Sequence, residues 1–402
     1  MGLKPGYKRT ELGVIPEEWE LKQLGELAAI TAGGTPSRTI SQYWHGDIPW
    51  ITTSEVDFRP IDRATQFITK EGLINSAAKL LPPGTLLMAL YGQGKTRGKV
   101  SVLRIEAATN QACAAISFHR DLSSDFAFHF LRSQYETIRN LSNTGNQENL
   151  NSTLVRSITI LLPQKAEQEA IAEALNDADA LIESLKQLLA KKRDLKQGAM
   201  QQLLTGQTRL PGFHGEWEVK RLGEISEISM GRTPPRLNQA FWGRGYTWLS
   251  IADLQSKVVS ESKEEITGLA ASTMTIIPKG TLLMSFKLSI GRLCFAGRDL
   301  FTNEAICGFN KLQANPEFIY YSLSRTDFSL YGKQAVKGYT LNKESLKIVE
   351  VRLPSPDEQT AIAAVLFDMD TEIAALEAKL DKARQIKQGM MQELLTGKTR
   401  LV

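Results

Sequence analysis

Residues Tyr91 to Lys99 read Tyr-Gly-Gln-Gly-Lys-Thr-Arg-Gly-Lys, a glycine-rich basic segment that follows the apolar run Thr85 to Leu90. Lys95, Arg97 and Lys99 carry the charge to meet phosphates, while Gln93 and Arg97 have the side-chain reach to read adenine or guanine edges. The stretch also matches a relaxed phosphate-loop pattern at Gly94-Lys95-Thr96. A working loop of that kind sets the lysine and hydroxyl at a helix start, where backbone amides cradle phosphate. Here Val100 to Ile105 reads as another strand, so nucleotide hydrolysis is set aside. A plain solvated loop stays open as the alternative.

Other segments offer comparable groups. Lys287 and Arg292 flank Ser289-Ile290-Gly291. The segments Asn143-Thr-Gly-Asn146-Gln147 and Lys337-Gly-Tyr339-Thr340 are rich in glycine and hydrogen-bonding groups, and suit either nucleic-acid contact or simple turns. Gly34-Thr35-Pro36-Ser37-Arg38 and its counterpart Arg232 to Arg236 fit phosphate binding or an architectural turn. Trp44, Trp50, Trp242 and Trp248 recur at paired positions and read as core. Catalytic chemistry finds little support. Three cysteines (Cys113, Cys294, Cys307) lack CxxC spacing and four histidines are scattered, so the expectation is a reduced, cytoplasmic, metal-free chain. No Asp/Asn-Pro-Pro-aromatic motif for adenine methylation is present, and no glycine-rich cofactor fingerprint. Neither a signal peptide nor a membrane-spanning apolar run is expected. The net charge of +4 is mildly basic and decides nothing until the charges are placed in space.

The elements that must position these groups come twice. Lys196 to Leu210 (KQGAMQQLLTGQTRL) recurs as Lys387 to Leu401 (KQGMMQELLTGKTRL) 191 residues later. Leu162-Pro163 returns as Leu353-Pro354, and Pro82 to Met88 returns as Pro278 to Met284. So long a period marks a duplicated domain and not a solenoid. In each copy the front part (1–162 and 207–353) mixes short strands, such as Thr85–Leu90 and Thr281–Phe286, with helices near 124–139 and 315–326. The back parts (163–206 and 354–402) are helical. In the first, Ala174, Ala178, Leu181, Leu185, Leu188 and Leu195 alternate by three and four, with Ile171, Leu175, Ile182 and Leu189 widening the stripe. The second supplies Val365, Met369, Leu376, Ala383, Ile386 and Met390, flanked by Ile362, Leu366, Ile373 and Leu380. Ser355-Pro356-Asp357-Glu358 predicts an N-cap with a capping box, and Gly206 and Gly397 predict the stops. Some 40 residues make a rod of roughly 60 Å. Gly198 and Gly389 inside these helices permit close packing, a kink, or nothing beyond a surface position.

Two like units meeting through their helices imply a two-fold, antiparallel arrangement. The chain stops at Lys398-Thr-Arg-Leu-Val402, where a linker like Gln207 to Trp217 would begin. The two ends are therefore expected close together.

Ordered along the chain, these motifs resemble the specificity subunit of type I restriction–modification systems. They are Trp19-x4-Leu24-Gly25-Glu26 and Trp217-x4-Leu222-Gly223-Glu224, Gly34-Thr-Pro-Ser37 and the altered Arg232-Thr-Pro-Pro235. Leu-Pro before Glu167-Gln168-x-Ala-Ile-Ala172 and before Glu358-Gln359-x-Ala-Ile-Ala363 follows, then Leu-Leu-Thr-Gly at 203–206 and 394–397. The resemblance spans essentially the whole chain. It implies an α+β fold of two similar mixed α/β target-recognition domains, separated by two long antiparallel helices in a pseudo-two-fold arrangement. It implies a non-catalytic chain that reads a bipartite, asymmetric site on double-stranded DNA and binds two modification (methyltransferase) subunits and restriction (translocase/nuclease) subunits. S-adenosylmethionine, ATP and Mg would belong to those partners, and no cofactor to this chain. The rival reading is a helical protein–protein scaffold without DNA readout.

Overall fold

The computed structural model describes residues 5–92, 94–119, 121–141, 149–287, 289–335 and 338–401, with side chains described outside 333–340. By spatial contact the chain divides into two compact units, Met1–Lys186 with Lys379–Val402, and Gln187–Ala378. The division runs through both long helices.

In the first unit four strands form an antiparallel sheet in the order Ala28–Ala32, Cys113–Phe118, Leu86–Ala89, Val100–Val102. All four residues of Leu86–Ala89 are buried. Strand alternation sends Leu86 and Met88 into a core with Phe126 and Phe130, and sends Leu87 and Ala89 into another with Ile51, Leu103 and Cys113. A sheet covered on both faces explains the unbroken apolar run. The run starts from a fixed turn, in which Gly84 has φ +89° and the Thr85 hydroxyl donates to the Pro82 carbonyl at 2.8 Å. The predicted helix near 124–139 is two pieces, Ser124–Ser133 and Tyr135–Arg139, with Gln134 between them. A second sheet of Gln66–Ile68, Trp44–Ile51 and Ala108–Thr109 presents the tryptophans discussed below.

The second unit has a five-stranded sheet in the order Glu227–Met230, Ile306–Asn310, Leu282–Ser285, Leu293–Ala296, Val258–Val259. A three-stranded sheet carries Trp242–Leu249 between Glu264–Ile266 and Phe301–Thr302. Pro316–Ser324 is helical and is capped by the Asn315 side chain, which accepts from Phe318 N at 3.1 Å. Phe318, Ile319 and Tyr321 turn inward against Leu282, Phe286, Ile362 and Leu366. Each such burial contributes about 1.5–3 kcal/mol.

The long helices span Lys165–Leu203 and Pro356–Leu394. Their stops are as expected, with Gly206 and Gly397 at φ +72° and +69°. A Cβ at Gly198 or Gly389 would meet nothing within 4 Å, which leaves both as surface positions. The capping box at Ser355 is only half formed. Ser355 Oγ accepts from Glu358 N at 3.4 Å, but the Glu358 carboxylate is engaged by Arg209 at 2.5 and 2.6 Å.

The buried line on the first helix is Ile171, Leu175, Ile182, Leu185 and Leu189. Leu181, Leu188 and Leu195, read from the sequence as the centre of the stripe, are 49%, 39% and 50% exposed. The apolar face is broader than its cover, so periodicity alone misplaces the seam by about one residue.

Within the second unit, Lys192 pairs with Glu372 at 2.6 Å and Arg193 with Glu377 at 2.5 Å, while Lys196 pairs with Asp370. In the first unit, Lys387 and Arg132 both engage Asp179, the latter at 3.1 Å.

The sequence signatures acquire physical roles here. Gln168 accepts from Ser123 N at 2.8 Å and donates to the carbonyls of Asp121 and Pro163, tying the helix start to the neighbouring head. Gln359 does the same with Asn315 N and the Pro354 carbonyl, both at 2.9 Å. Glu167 is buried and bound by Arg400, with Nε to Oε1 at 2.5 Å and Nη2 to Oε2 at 2.9 Å, and it also accepts from Trp19 Nε1 at 3.0 Å. Arg400 reaches Glu18 at 3.1 Å and Tyr7 donates to the Gly397 carbonyl at 3.0 Å, so residues near the two ends are in contact, as expected.

Candidate nucleic-acid interface

In the first unit the turn Gly34 to Arg38 is held by two indoles. Trp50 Nε1 donates to the Gly34 carbonyl and Trp44 Nε1 to the Ser37 carbonyl, each at 3.0 Å. The two rings meet edge to face, with centroids 5.1 Å apart. Trp50 is core, but Trp44 is only half buried, and the exposed Arg38 guanidinium lies 3.8 Å over its ring. A cation over an indole face is held by the ring quadrupole. Arg38 Nη2 also donates to Gln66 Oε1 at 2.9 Å, and Thr35 donates to Gln111 at 2.5 Å.

The second unit has the corresponding arrangement. Trp248 donates to the Arg232 carbonyl at 3.0 Å and Trp242 to the Pro235 carbonyl at 3.2 Å, with ring centroids 5.0 Å apart. Arg236 lies 4.0 Å over Trp242. Its acceptor is a carboxylate, with Nη1 and Nη2 donating to Glu264 Oε1 and Oε2 at 2.6 and 3.0 Å. Thr233 donates to Glu304. That bond, followed by a backbone hydrogen bond and then the charges of Lys287 and Arg236, holds the Glu304 carboxyl below its ordinary value against the opposing effect of burial. The two segments are therefore architectural turns, each carrying an exposed arginine platform. Sequence reading named Arg38 and Arg236 but not Gln66 and Glu264. The signal was available, because both acceptors recur at the same 198-residue offset as the tryptophans.

The basic loop of the first unit is more constrained than its composition suggests. Lys95 is exposed, and its carbonyl accepts from Tyr135 Oη at 2.6 Å. Arg97 is buried at 5% exposure, and its Nη2 donates to the Arg139 carbonyl at 3.2 Å. Lys99 is half buried and pairs with Asp57 at 2.5 Å. In the second unit Arg232, Lys287 and Arg292 are exposed, with Lys287 Nζ 5.6 Å from the Phe286 ring centroid. Tyr339 lies in the strand Gly338–Thr340, paired through its backbone with Gln334. Gln93, Asn143, Asn146, Gln147 and Lys337 lie outside the described residues.

Burial pushes the thiols of Cys113, Cys294 and Cys307 up to about 12, which suppresses the thiolate a nucleophile needs. Among the described residues no group of three or more His, Cys, Asp or Glu could hold a metal ion, and no helix is long and apolar enough to cross a membrane.

Two mixed α/β heads with exposed cation platforms, joined to long helices, agree with what comparison with known proteins finds. The pattern of the type I restriction modification DNA specificity domain matches residues 16–191 and again 214–385. The chain belongs to that family.

The type I restriction enzyme MjaIX specificity subunit of Methanocaldococcus jannaschii is 26% identical over 284 residues, covering 66% of this chain and 64% of that relative. The MjaVIII specificity subunit of the same organism is 19% identical over 96% of this chain and 94% of its own length. The crystal structure of a type I restriction–modification S subunit from M. genitalium superposes with a TM-score of 0.62 at 16% identity, covering 98% of this chain and 99% of that one. That likeness bears on the fold alone.

Proposed function

We infer that this chain is the non-catalytic DNA-recognition subunit of a type I restriction–modification complex, in which two unlike heads read the halves of a bipartite site. The carrying observation is the pair of exposed arginine platforms, alike in frame and unlike in the groups around them. Two heads of one build with different polar surfaces suit an asymmetric target, whereas identical surfaces would suit a symmetric one.

The heads are assigned to 1–162 and 207–353, and the helical spacers that set the gap to 163–206 and 354–402. An antiparallel, pseudo-two-fold placement of the spacers is supported by the ion pairs Lys192–Glu372 and Lys196–Asp370 in one unit and Lys387–Asp179 in the other. Contact between the terminal segments supports it too. Two modification subunits bearing S-adenosylmethionine, and restriction subunits using ATP and Mg, are the partners this reading assigns. Arg38, Lys95, Arg232, Lys287 and Arg292 are the outward-facing cations assigned to DNA, and Arg97 and Lys99 shape the loop that presents Lys95. Replacing residues 207–353 with the matching segment of another family member should change one half-site only. A change in both halves, or in neither, overturns the modular reading.

A further inference from the structure

The two arginine platforms share a frame but not a charge state. In each, an edge-to-face tryptophan pair is braced by indole bonds to the turn, and the guanidinium lies flat on the outer ring at 3.8 or 4.0 Å. Stacking fixes the planar donor fork before any ligand arrives, so little side-chain freedom remains to be lost on binding.

The acceptors then divide the pair. Glu264 takes both Nη groups of Arg236, at 2.6 and 3.0 Å, and cancels its charge. Gln66 takes one Nη of Arg38 at 2.9 Å and leaves the charge intact. Among the described residues no carboxylate forms an ion pair with Arg38. The flanking threonines repeat the division, Thr35 donating to the neutral Gln111 and Thr233 to the anionic Glu304.

Resting on the DNA-recognition reading above, we propose that Arg38 on Trp44 is a DNA phosphodiester anchor, while its twin Arg236 is an internal strut. A phosphate approaching Arg38 finds a held, charge-bearing fork with donors left over. One approaching Arg236 meets the Glu264 carboxylate already bound to both Nη groups, with Glu304 nearby. Arg38 thus supplies the sequence-independent attachment that sets the register of the first head. The second head must draw its backbone attachment from other cations. The exposed Arg232, which stands where the first head has Gly34, contributes its carbonyl and not its guanidinium to the tryptophan frame.

The test uses the full chain assembled with its modification subunits. The probe is a duplex carrying the site mapped by sequencing methylated adenines, titrated from 50 to 200 mM salt. Each phosphate contact adds about 0.9 to the logarithmic salt slope, so losing one shrinks the affinity change across this range about 3.5-fold. Arg38→Ala should lower the slope by about 0.9 and weaken binding about tenfold at low salt, the low end for a charge-assisted bond. Gln66→Glu keeps the stack but neutralises it, and should reproduce that slope with an unchanged melting temperature. Arg236→Ala should leave the slope unchanged, and Glu264→Gln, by freeing Arg236, should raise it by about 0.9.

The proposal is overturned if Gln66→Glu leaves the slope unchanged or if Arg236→Ala lowers it as Arg38→Ala does, while the unaltered complex still binds with a steep slope. Absence of salt-dependent duplex binding by the unaltered complex is a different failure, that of the DNA-recognition reading itself.

Discussion

Replacing Arg400 with alanine should destabilise the first unit by an amount the structure lets one work out. The Glu167 side chain is 2% exposed and takes two bonds from Arg400, at 2.5 and 2.9 Å, and one from Trp19 at 3.0 Å. Removing one partner of a buried ion pair costs about 3–5 kcal/mol, because the remaining charge is left desolvated. The indole bond survives in the variant and offsets about 1 kcal/mol, leaving about 2–4 kcal/mol. For a unit of roughly 200 residues, 1 kcal/mol moves the melting temperature about 2–4 °C, so a drop of about 4–16 °C is expected by calorimetry.

The second unit gives an internal comparison. Glu358 is fully buried against Arg209, but Trp217 Nε1 makes no hydrogen bond among the described residues, so Arg209→Ala lacks that relief and should cost about 1 kcal/mol more. Adding Glu167→Gln to Arg400→Ala removes the stranded charge and should recover at least half of the loss. The reasoning fails if Arg400→Ala shifts melting by less than about 2 °C, the drop expected from as little as 1 kcal/mol, or if the double variant is no more stable than the single one.

Burial, partly countered by the Asn176 hydrogen bond, holds the His129 imidazole down to about 4 from an ordinary 6.5. The unfolded chain therefore protonates first, and stability from this group is complete above about pH 6.5 and lost as pH falls through 4, by up to about 3 kcal/mol. His129→Gln should flatten melting curves between pH 7 and 4.5. Burial, helped by Arg132 and opposed by Asp179, lowers the Lys387 ammonium to about 8. Between about pH 8 and 10.5 the unfolded chain keeps a proton that the folded chain has given up. Wild-type stability in urea should therefore rise by up to about 3 kcal/mol as pH goes from about 8 to 10.5, whereas the profile of Lys387→Met stays flat there. Lys95→Ala should weaken DNA binding of the assembled complex without a melting shift. Arg97→Ala should lower the melting temperature, because its guanidinium packs inside against the Arg139 carbonyl.

Local pattern and recurrence carried much of the architecture. The apolar runs at Leu86–Ala89 and Leu282–Ser285 are buried strands, and the glycines after each Leu-Leu-Thr end the long helices in the left-handed conformation. What local pattern could not supply are contacts made across hundreds of residues. Glu358 looked like half of a capping box, but its carboxylate goes to Arg209, 149 residues away in sequence. Arg97 has the character of a surface cation, yet it is buried where the chain returns at Arg139, whose carbonyl accepts a hydrogen bond from its guanidinium. Leu181, Leu188 and Leu195 keep perfect heptad spacing and still lie outside the buried line, since spacing does not say how wide the covering surface is. Arg38 and Arg236 are equivalent by motif, and only the Gln66 and Glu264 side chains brought against them separate the two.

The central claim, two unlike heads reading one split site, is tested most directly by sequencing methylated adenines in host DNA with and without this chain. The account predicts an asymmetric motif of two short specified halves around a fixed unspecified gap, present only when the chain is expressed. Methylation that persists unchanged without the chain, or a single continuous or palindromic motif, would contradict it.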